Sequence, residues 1–237
     1  MSDRVSKHWL RFVAEGVVIV ASILFALWAD ASWELWKQRA GERQIIEALI
    51  LEFATAETEI RNDLRARTGI LETTRRWREA RGARSLQISA DSVISDVTRL
   101  LNYRFYTPSH PELDDILSSG RLELLRSEEI RRALLRYVQA RSRIGVPEQE
   151  ERDFVAQRVE PFLGPRLDLD FLYSEPPDPA AIAGASEAIA ALGEGVEFGS
   201  ILYYKQFITS GALAFSEELL ESILAVQSAL SAARTGG

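Results

Sequence analysis

The side chains of this chain that could carry out chemistry are mainly carboxylates. Glu148, Glu150, Glu151 and Asp153 follow Pro147 within one short stretch. Acids gathered in this way can act as general acid and base in a hydrolase. The first turn of a helix also stabilises acids, through the positive end of the helix dipole. Acids that converge from different helices on a pocket would favour an enzyme, and acids that all face solvent would favour an interaction module.

The two histidines offer little for a metal site or a catalytic triad. His8 adjoins the N-terminal apolar segment, and His110 lies beside Glu112, Asp114 and Asp115. A metal site is one interpretation of that acidic group, and electrostatic stabilisation of a helix end is the simpler one. The chain has no Cys, which excludes disulfides and cysteine nucleophiles. Phosphate-binding loops, nucleophile elbows and zinc-protease motifs are also absent from the sequence, so we expect neither catalysis nor a cofactor.

Charge is unevenly distributed along the 237 residues, and the formal net charge of -7 argues against nucleic acid as a partner. Residues 32–146 hold 20 Lys and Arg against 17 Asp and Glu, whereas residues 147–237 hold 5 against 15. We therefore expect these parts to attract each other, within one molecule or between copies. A dense run of arginines is better explained as the solvated face of a helix than as a headgroup or nucleic-acid patch. The run comprises Arg61, Arg65, Arg67, Arg75, Arg76, Arg78, Arg81 and Arg84.

The N-terminal segment has the length and composition of a membrane-spanning helix. Residues 16–29 carry no charge, and the 20 residues from Trp9 to Trp28 would form a helix of about 30 Å, which matches the hydrocarbon core. Trp9 at one end, with Trp28 and Trp36 at the other, is placed as in an interfacial aromatic belt. A signal peptide and a soluble core helix are the alternatives. Glu15 in the early apolar region and uninterrupted helical patterning favour an uncleaved anchor.

One face of this predicted membrane helix carries Glu15, Ser22, Ala26, Asp30 and Trp33. Ser22 and Ala26 form a small-xxx-small pair, which lets two helices approach closely. Either Glu15 only marks the membrane boundary, or this face packs against a membrane helix of another copy or of a partner protein. The expected partners are thus the lipid bilayer and such a helix. We expect a single-pass protein of the cytoplasmic membrane with its helical domain on the outer side.

The rest of the chain is predicted to be all-α, because no stretch alternates with a period of two residues between turns. We divide it into a membrane anchor (1–31) and a helical domain (32–237). The domain comprises a stalk helix (32–81) continuous with the anchor, central helices (82–163), a Pro-rich linker (164–179) and C-terminal helices (180–237). A heptad seam in the stalk contains Ile46, Leu49, Phe53, Ala56 and Ile60.

Local signals predict how the remaining helices begin and end. Ser119 and Gly120 form a helix-end motif in which Gly120 adopts a left-handed conformation, and Ser127 caps the next helix. That helix is expected to end near Ile144, and Pro147 opens another. In the last helical segment, Gly211 is a candidate kink and Ser216 a candidate N-cap. About six helices are expected beyond the first.

Two segments resemble a bacterial family of single-pass membrane proteins known only as a domain of unknown function. The first comprises Glu15, Ser22-Ile23-Leu24, Ala26-Leu27, Asp30 and Trp33-Glu34. The second comprises Leu113, Ile116-Leu117, Ser118-Ser119-Gly120, Leu122, Leu124-Leu125, Ser127 and Ile130-Arg131. The resemblance implies a short Glu-led membrane helix, a charged stalk and a helical domain, without an established activity.

The sequence therefore favours a membrane-anchored interaction, assembly or sensory module. A membrane-tethered hydrolase that uses carboxylates and a purely structural envelope component are the alternatives.

Overall fold

Helices account for nearly all of the chain that is described by the computed structural model, namely residues 3–83, 86, 89–106, 108–172 and 178–236. This part contains no strand, which confirms the predicted all-α class. Its α-helices are α1 (Asp3–Gly82), α2 (Ala90–Leu101), α3 (Pro111–Ser118), α4 (Glu128–Phe154), α5 (Glu160–Leu163), α6 (Pro179–Leu192) and α7 (Val196–Gly236).

Helix α1 runs without interruption through the predicted anchor and stalk. Leu49, Phe53, Ala56 and Ile60 are buried as the heptad seam predicts, whereas Ile46 is only half-buried. Alternating steps of three and four residues then continue the buried face to the end of the helix. From Leu49 onward the residues at these steps are Leu49, Phe53, Ala56, Ile60, Asp63, Arg67, Ile70, Thr74 and Trp77, and Ile45 and Thr73 of α1 are buried as well. A polar pair, Asp63 and Arg67, thus occupies two consecutive core positions.

The hydropathy of the described helices does not support the membrane span predicted in the N-terminal part of α1. Among the described residues, no helix has a stretch both long and apolar enough to cross a bilayer. The side chains of residues 3–19 lie outside the described part, and Trp9 and Glu15 are among them.

The chain forms two compact units. The first comprises Met1–Leu49 and Glu112–Arg126, and the second Ile50–Pro111 and Ser127–Gly237. Helix α3 ends before Gly120, whose φ of 70° confirms the predicted left-handed conformation. In the second unit, the Ser127 side chain accepts a hydrogen bond from the backbone N–H of Ile130, which confirms the predicted N-cap.

Helix α4 differs from the prediction because it passes through Pro147 instead of ending near Ile144. A proline inside a helix removes one backbone hydrogen bond and costs about 3 kcal/mol. Here Pro147 is buried, and the turn that follows it carries Glu148 and Glu151 into the interior. Their contacts there offset the local preference for a break. Beyond Phe154, a π-helical turn at Val155–Val159 leads into α5.

The C-terminal region also departs from the prediction at two points. Because α7 is one helix from Val196 to Gly236, Ser216 lies in its buried interior instead of at an N-cap. In the segment predicted to be a surface linker, Leu167 and Phe171 are buried in a hydrophobic core with residues of α1, α2, α6 and α7. Burial of these two side chains ties residues 167–171 to the domain.

Replacement of Gly120 by Val should lower the free energy of unfolding by at least about 1 kcal/mol, because a Cβ atom is strained at positive φ. Urea unfolding of the full chain in a neutral detergent measures the change. Gly145→Ala is the control: this glycine lies inside α4 with open space around it, so alanine should preserve or raise stability. Equal stability of the Gly120→Val variant and the wild type would contradict the expectation.

Candidate functional site

The most highly charged part of the interior is centred on Arg67 of α1. The seam of three- and four-residue steps directs this guanidinium into the core, where it is fully buried. Its Nε atom donates a hydrogen bond to Oδ2 of Asp63, one turn earlier on α1, at 2.7 Å. A buried guanidinium that lacked such partners would be very costly, so the surrounding helices must supply acceptors.

Helix α4 supplies two of those acceptors. Arg67 Nη1 donates to Oε2 of Glu151 at 2.6 Å, and Nη2 donates to Oε1 of Glu148 at 3.1 Å. Both carboxylates are buried and lie three residues apart, so they share one face of α4. These ion pairs join residues of the basic middle of the sequence to residues of its acidic C-terminal third. Part of the predicted electrostatic attraction therefore operates within one molecule.

Helix α7 completes the arrangement with one cation and two hydroxyl groups. Lys205 Nζ lies 3.2 Å from Oε1 of Glu151, and the Thr209 hydroxyl donates to the same oxygen at 2.6 Å. The Ser216 hydroxyl donates to Oδ2 of Asp63 at 2.9 Å. All three side chains are buried. Helix α7 thereby contacts carboxylates from both other helices.

The loop after α2 also contacts these buried charged side chains. The carbonyl of Asn102 accepts a hydrogen bond from Lys205 Nζ at 2.6 Å, and the backbone N–H of Tyr106 donates to Oε1 of Glu148 at 2.8 Å. Arg104 uses its carbonyl to accept from Arg67, and its own guanidinium Nε lies 3.5 Å from Oδ1 of Asp63. We call Asp63, Arg67, Arg104, Glu148, Glu151, Lys205, Thr209 and Ser216 the Arg67 network.

The Arg67 network contains three carboxylates and three basic side chains, so its formal charges balance. Burial raises the pKa of Glu148 to about 7, against the opposing effects of the Tyr106 N–H and the Arg67 charge. Burial also lowers the pKa of Lys205 below its ordinary value, although Glu151 counteracts the shift. The charge of Glu148 can therefore change near neutral pH.

The acids that the sequence offered for catalysis divide into two groups. Glu148 and Glu151 converge with Asp63 from another helix on the buried cation of Arg67. Glu150 is exposed, and half-buried Asp153 accepts hydrogen bonds from Gln149 and Arg152. The acids of this stretch therefore do not all face solvent. Buried carboxylates held by such partners act as structural counterions.

Sequence reasoning missed most of the Arg67 network. The prediction that Arg67 lies on a solvated helix face is wrong, because its side chain is buried. No pattern in the sequence indicates a role for Lys205 or Thr209. The missing signal lies in α1, where the heptad spacing continues past Ile60 onto Asp63 and Arg67. An oppositely charged pair at consecutive core positions indicates that acceptors and donors must come from other helices.

The metal interpretation of His110 also finds a different environment. His110 is buried, its Nε2 atom lies 2.5 Å from the Tyr137 hydroxyl, and its ring lies 5.2 Å from that of Phe53. Its Nδ1 atom is 3.7 Å from an oxygen of Glu52. Within the described part of the chain, no three acidic or histidine side chains are placed to hold a metal ion. His110 belongs to a buried aromatic cluster.

The predicted membrane-helix face is described from Ser22 onward. Ser22, Ala26, Asp30 and Trp33 lie on one side of α1 and are exposed. Large apolar side chains cover much of the remaining circumference, and each is between 55% and 67% exposed. These exposed side chains, including the tryptophans around the predicted membrane boundary, are Val20, Ile23, Leu24, Phe25, Leu27, Trp28, Trp33 and Trp36.

Comparison with protein-family models, with curated proteins and with solved structures finds no match to this chain. The resemblance to a family of single-pass membrane proteins therefore stays a prediction.

Removal of the Ser216 hydroxyl should lower the free energy of unfolding by about 1–2 kcal/mol, since buried Asp63 loses a donor. Ser210→Ala is a matched control on the same helix. Both hydroxyls donate to the carbonyl four residues earlier, but Ser210 is exposed and Ser216 alone also reaches a buried carboxylate. Urea unfolding of the two variants should differ by at least about 1 kcal/mol, and equal stabilities would contradict the role of Ser216 in the network.

Neutralisation of Glu148 should change how stability depends on pH. Its pKa of about 7 in the folded chain exceeds its ordinary value of 4.5. Between these values the folded chain holds a proton on Glu148 that the unfolded chain has released. The stability that this proton binding contributes is therefore complete below pH 4.5 and is lost as the pH rises through 7. Glu148→Gln should therefore gain stability relative to wild type between pH 5 and pH 8. Exposed Glu150→Gln is the matched control, and a difference from wild type that does not change with pH for Glu148→Gln would refute the assignment.

Proposed function

We propose that this protein is a single-pass, membrane-tethered helical module that acts by binding or assembling with another protein chain. The observation that carries the proposal is the exposed apolar surface of α1 between Val20 and Trp36. Exposed apolar patches of this extent mark membrane or protein interaction sites, because water does not stabilise them. Large apolar groups point in several directions around the helix, as required of a helix surrounded by lipid.

The aromatic residues support the same environment. Trp33 and Trp36 stack with their ring centroids 5.2 Å apart, and the ammonium group of Lys37 lies 6.0 Å from the Trp33 ring. Tryptophans next to a basic side chain, directly after an apolar stretch, are typical of the membrane–water interface. We place the helical domain on the outer side of the cytoplasmic membrane, since Arg4, Lys7 and Arg11 lie close to the other end of the span.

The interior of the domain favours binding over catalysis. Its converging carboxylates are used to neutralise Arg67 and Lys205, and this closes them to a substrate. We therefore expect the activity of the protein at its surface, as in an interaction or assembly module. A purely structural envelope component would share the anchor but would need no specific partner on the face that contains Ser22 and Ala26.

Anchoring predicts that the chain resists extraction from membranes. Alkaline carbonate washing should leave the wild-type protein in the membrane pellet, because a span of about 20 mostly apolar residues stays in lipid. A variant carrying both Val18→Glu and Ile19→Glu should move to the supernatant, since charges near the bilayer centre oppose insertion. Release of the wild-type chain under the same conditions would contradict the proposal.

If the protein associates through its membrane helix, the crosslinking yield should depend on the face of α1 that contains Ser22 and Ala26. Because the sequence contains no Cys, the substitution Asp30→Cys introduces a single thiol. Crosslinking through this thiol in membranes reports contact between two copies or with a partner. Ser22→Leu and Ala26→Leu should each lower its yield, because larger side chains keep the helix backbones apart. Val20→Leu, on another side of α1, is the control and should keep the wild-type yield. Equal yields in all three variants would refute association through this face.

A further inference from the structure

A second charged feature lies at the C-terminal end of α1, away from the Arg67 network. It is a cleft of about 340 Å³ in the second unit, open to solvent. Its lining comprises Arg75, Arg78, Glu79 and Arg81 of α1 with Gly199 and Tyr203 of α7. The volume is within the range of small-molecule sites.

The positive charge of this cleft is not neutralised by the protein. Most other arginines of α1's second half face a carboxylate: Arg61 pairs with Glu57, and Arg76 with Asp96. Arg75, Arg78 and Arg81 form no ion pair within the described residues, even though Glu79 also lines the cleft. Three guanidinium groups against one carboxylate leave the lining with an excess of two positive charges.

Two of the guanidinium groups are oriented by neutral partners. Arg78 Nη1 donates to the side-chain oxygen of Gln206 at 2.5 Å, and its guanidinium lies 5.2 Å from the centre of the Tyr203 ring. Arg81 Nη2 donates to the carbonyl of Gly195 at 3.1 Å. These contacts fix the direction of each guanidinium group without cancelling its charge. Both groups can therefore bind an anion without first being reoriented.

Gly199 makes the position of Arg81 possible. A Cβ atom at residue 199 would lie 2.6 Å from the Arg81 Cζ atom, well inside the van der Waals distance. Only glycine lets the guanidinium pack directly on the backbone of α7. The contact is also made in the first turns of α7, where the helix dipole adds positive potential.

We propose that this cleft binds a small phosphate-bearing anion. The three arginines are three residues apart, so their attachment points span about 9 Å along α1. That span suits the several oxygens of a diphosphate or of a phosphorylated headgroup better than one carboxylate. Arginine forks bind phosphate oxygens in pairs, and Tyr203 forms an aromatic wall beside them.

Titration of the full chain in a neutral detergent with inorganic pyrophosphate, followed calorimetrically, tests the proposal. Saturable binding is expected, and Arg75→Gln and Arg78→Gln should each weaken it about tenfold or more. Arg158→Gln, which removes an exposed arginine elsewhere in the second unit, should leave the affinity unchanged. The same titration with short-chain phosphatidylglycerol in the micelles separates a lipid headgroup from a free phosphate compound. Binding of either probe that depends on Arg75 and Arg78 supports the site, and binding of neither, or binding equal in the variants, overturns it.

A glycine pair provides an independent check on the geometry. Gly199→Ala should weaken binding of the same probe, because the methyl group displaces the Arg81 guanidinium. Gly211→Ala lies on the same helix with nothing within 4 Å of the added carbon, and it should bind like wild type. Unfolding curves of both variants separate loss of the site from loss of the fold. An unchanged affinity in folded Gly199→Ala would refute the position assigned to Arg81.

Discussion

The ion pairs of Arg67 with carboxylates on two helices are the constraint on which the helical domain depends. A guanidinium without access to water needs acceptors at fixed distances and directions. Asp63 meets this need from α1 itself, and Glu148 and Glu151 meet it from α4. Since Glu151 in turn accepts from Lys205 and Thr209 on α7, a shift of any of these helices along its axis would break several contacts at once.

This arrangement limits what the domain can do. A buried ion-pair network is costly to assemble, and it stabilises one packing of the helices more than it raises total stability. Its carboxylates are closed to substrates because cations, hydroxyls and backbone N–H groups occupy them. The functions that we propose use surfaces instead. The exposed apolar part of α1 is the proposed contact with lipid or another helix, and the cleft beside Tyr203 is the proposed anion site.

Signals that act over a few residues were sufficient to predict much of the fold. The left-handed Gly120 and the Ser127 cap depend only on neighbouring backbone groups, and the structure confirms both. Pro147 and Ser216 were misjudged because distant contacts outweigh their local preferences for a helix start. The heptad position of Arg67 is itself a signal, but its partners on α4, Glu148 and Glu151, lie more than 80 positions away and show no comparable pattern.

A double-mutant cycle between Arg67 and Glu151 tests the central claim most directly. Unfolding free energies of wild type, Arg67→Met, Glu151→Gln and the double variant give the coupling between these side chains. The single variants should each be strongly destabilised, since each leaves buried charge without its partner. If the network holds the helices in register, the double variant should be more stable than the sum of the single losses by at least about 2 kcal/mol. Losses that simply add would contradict the account.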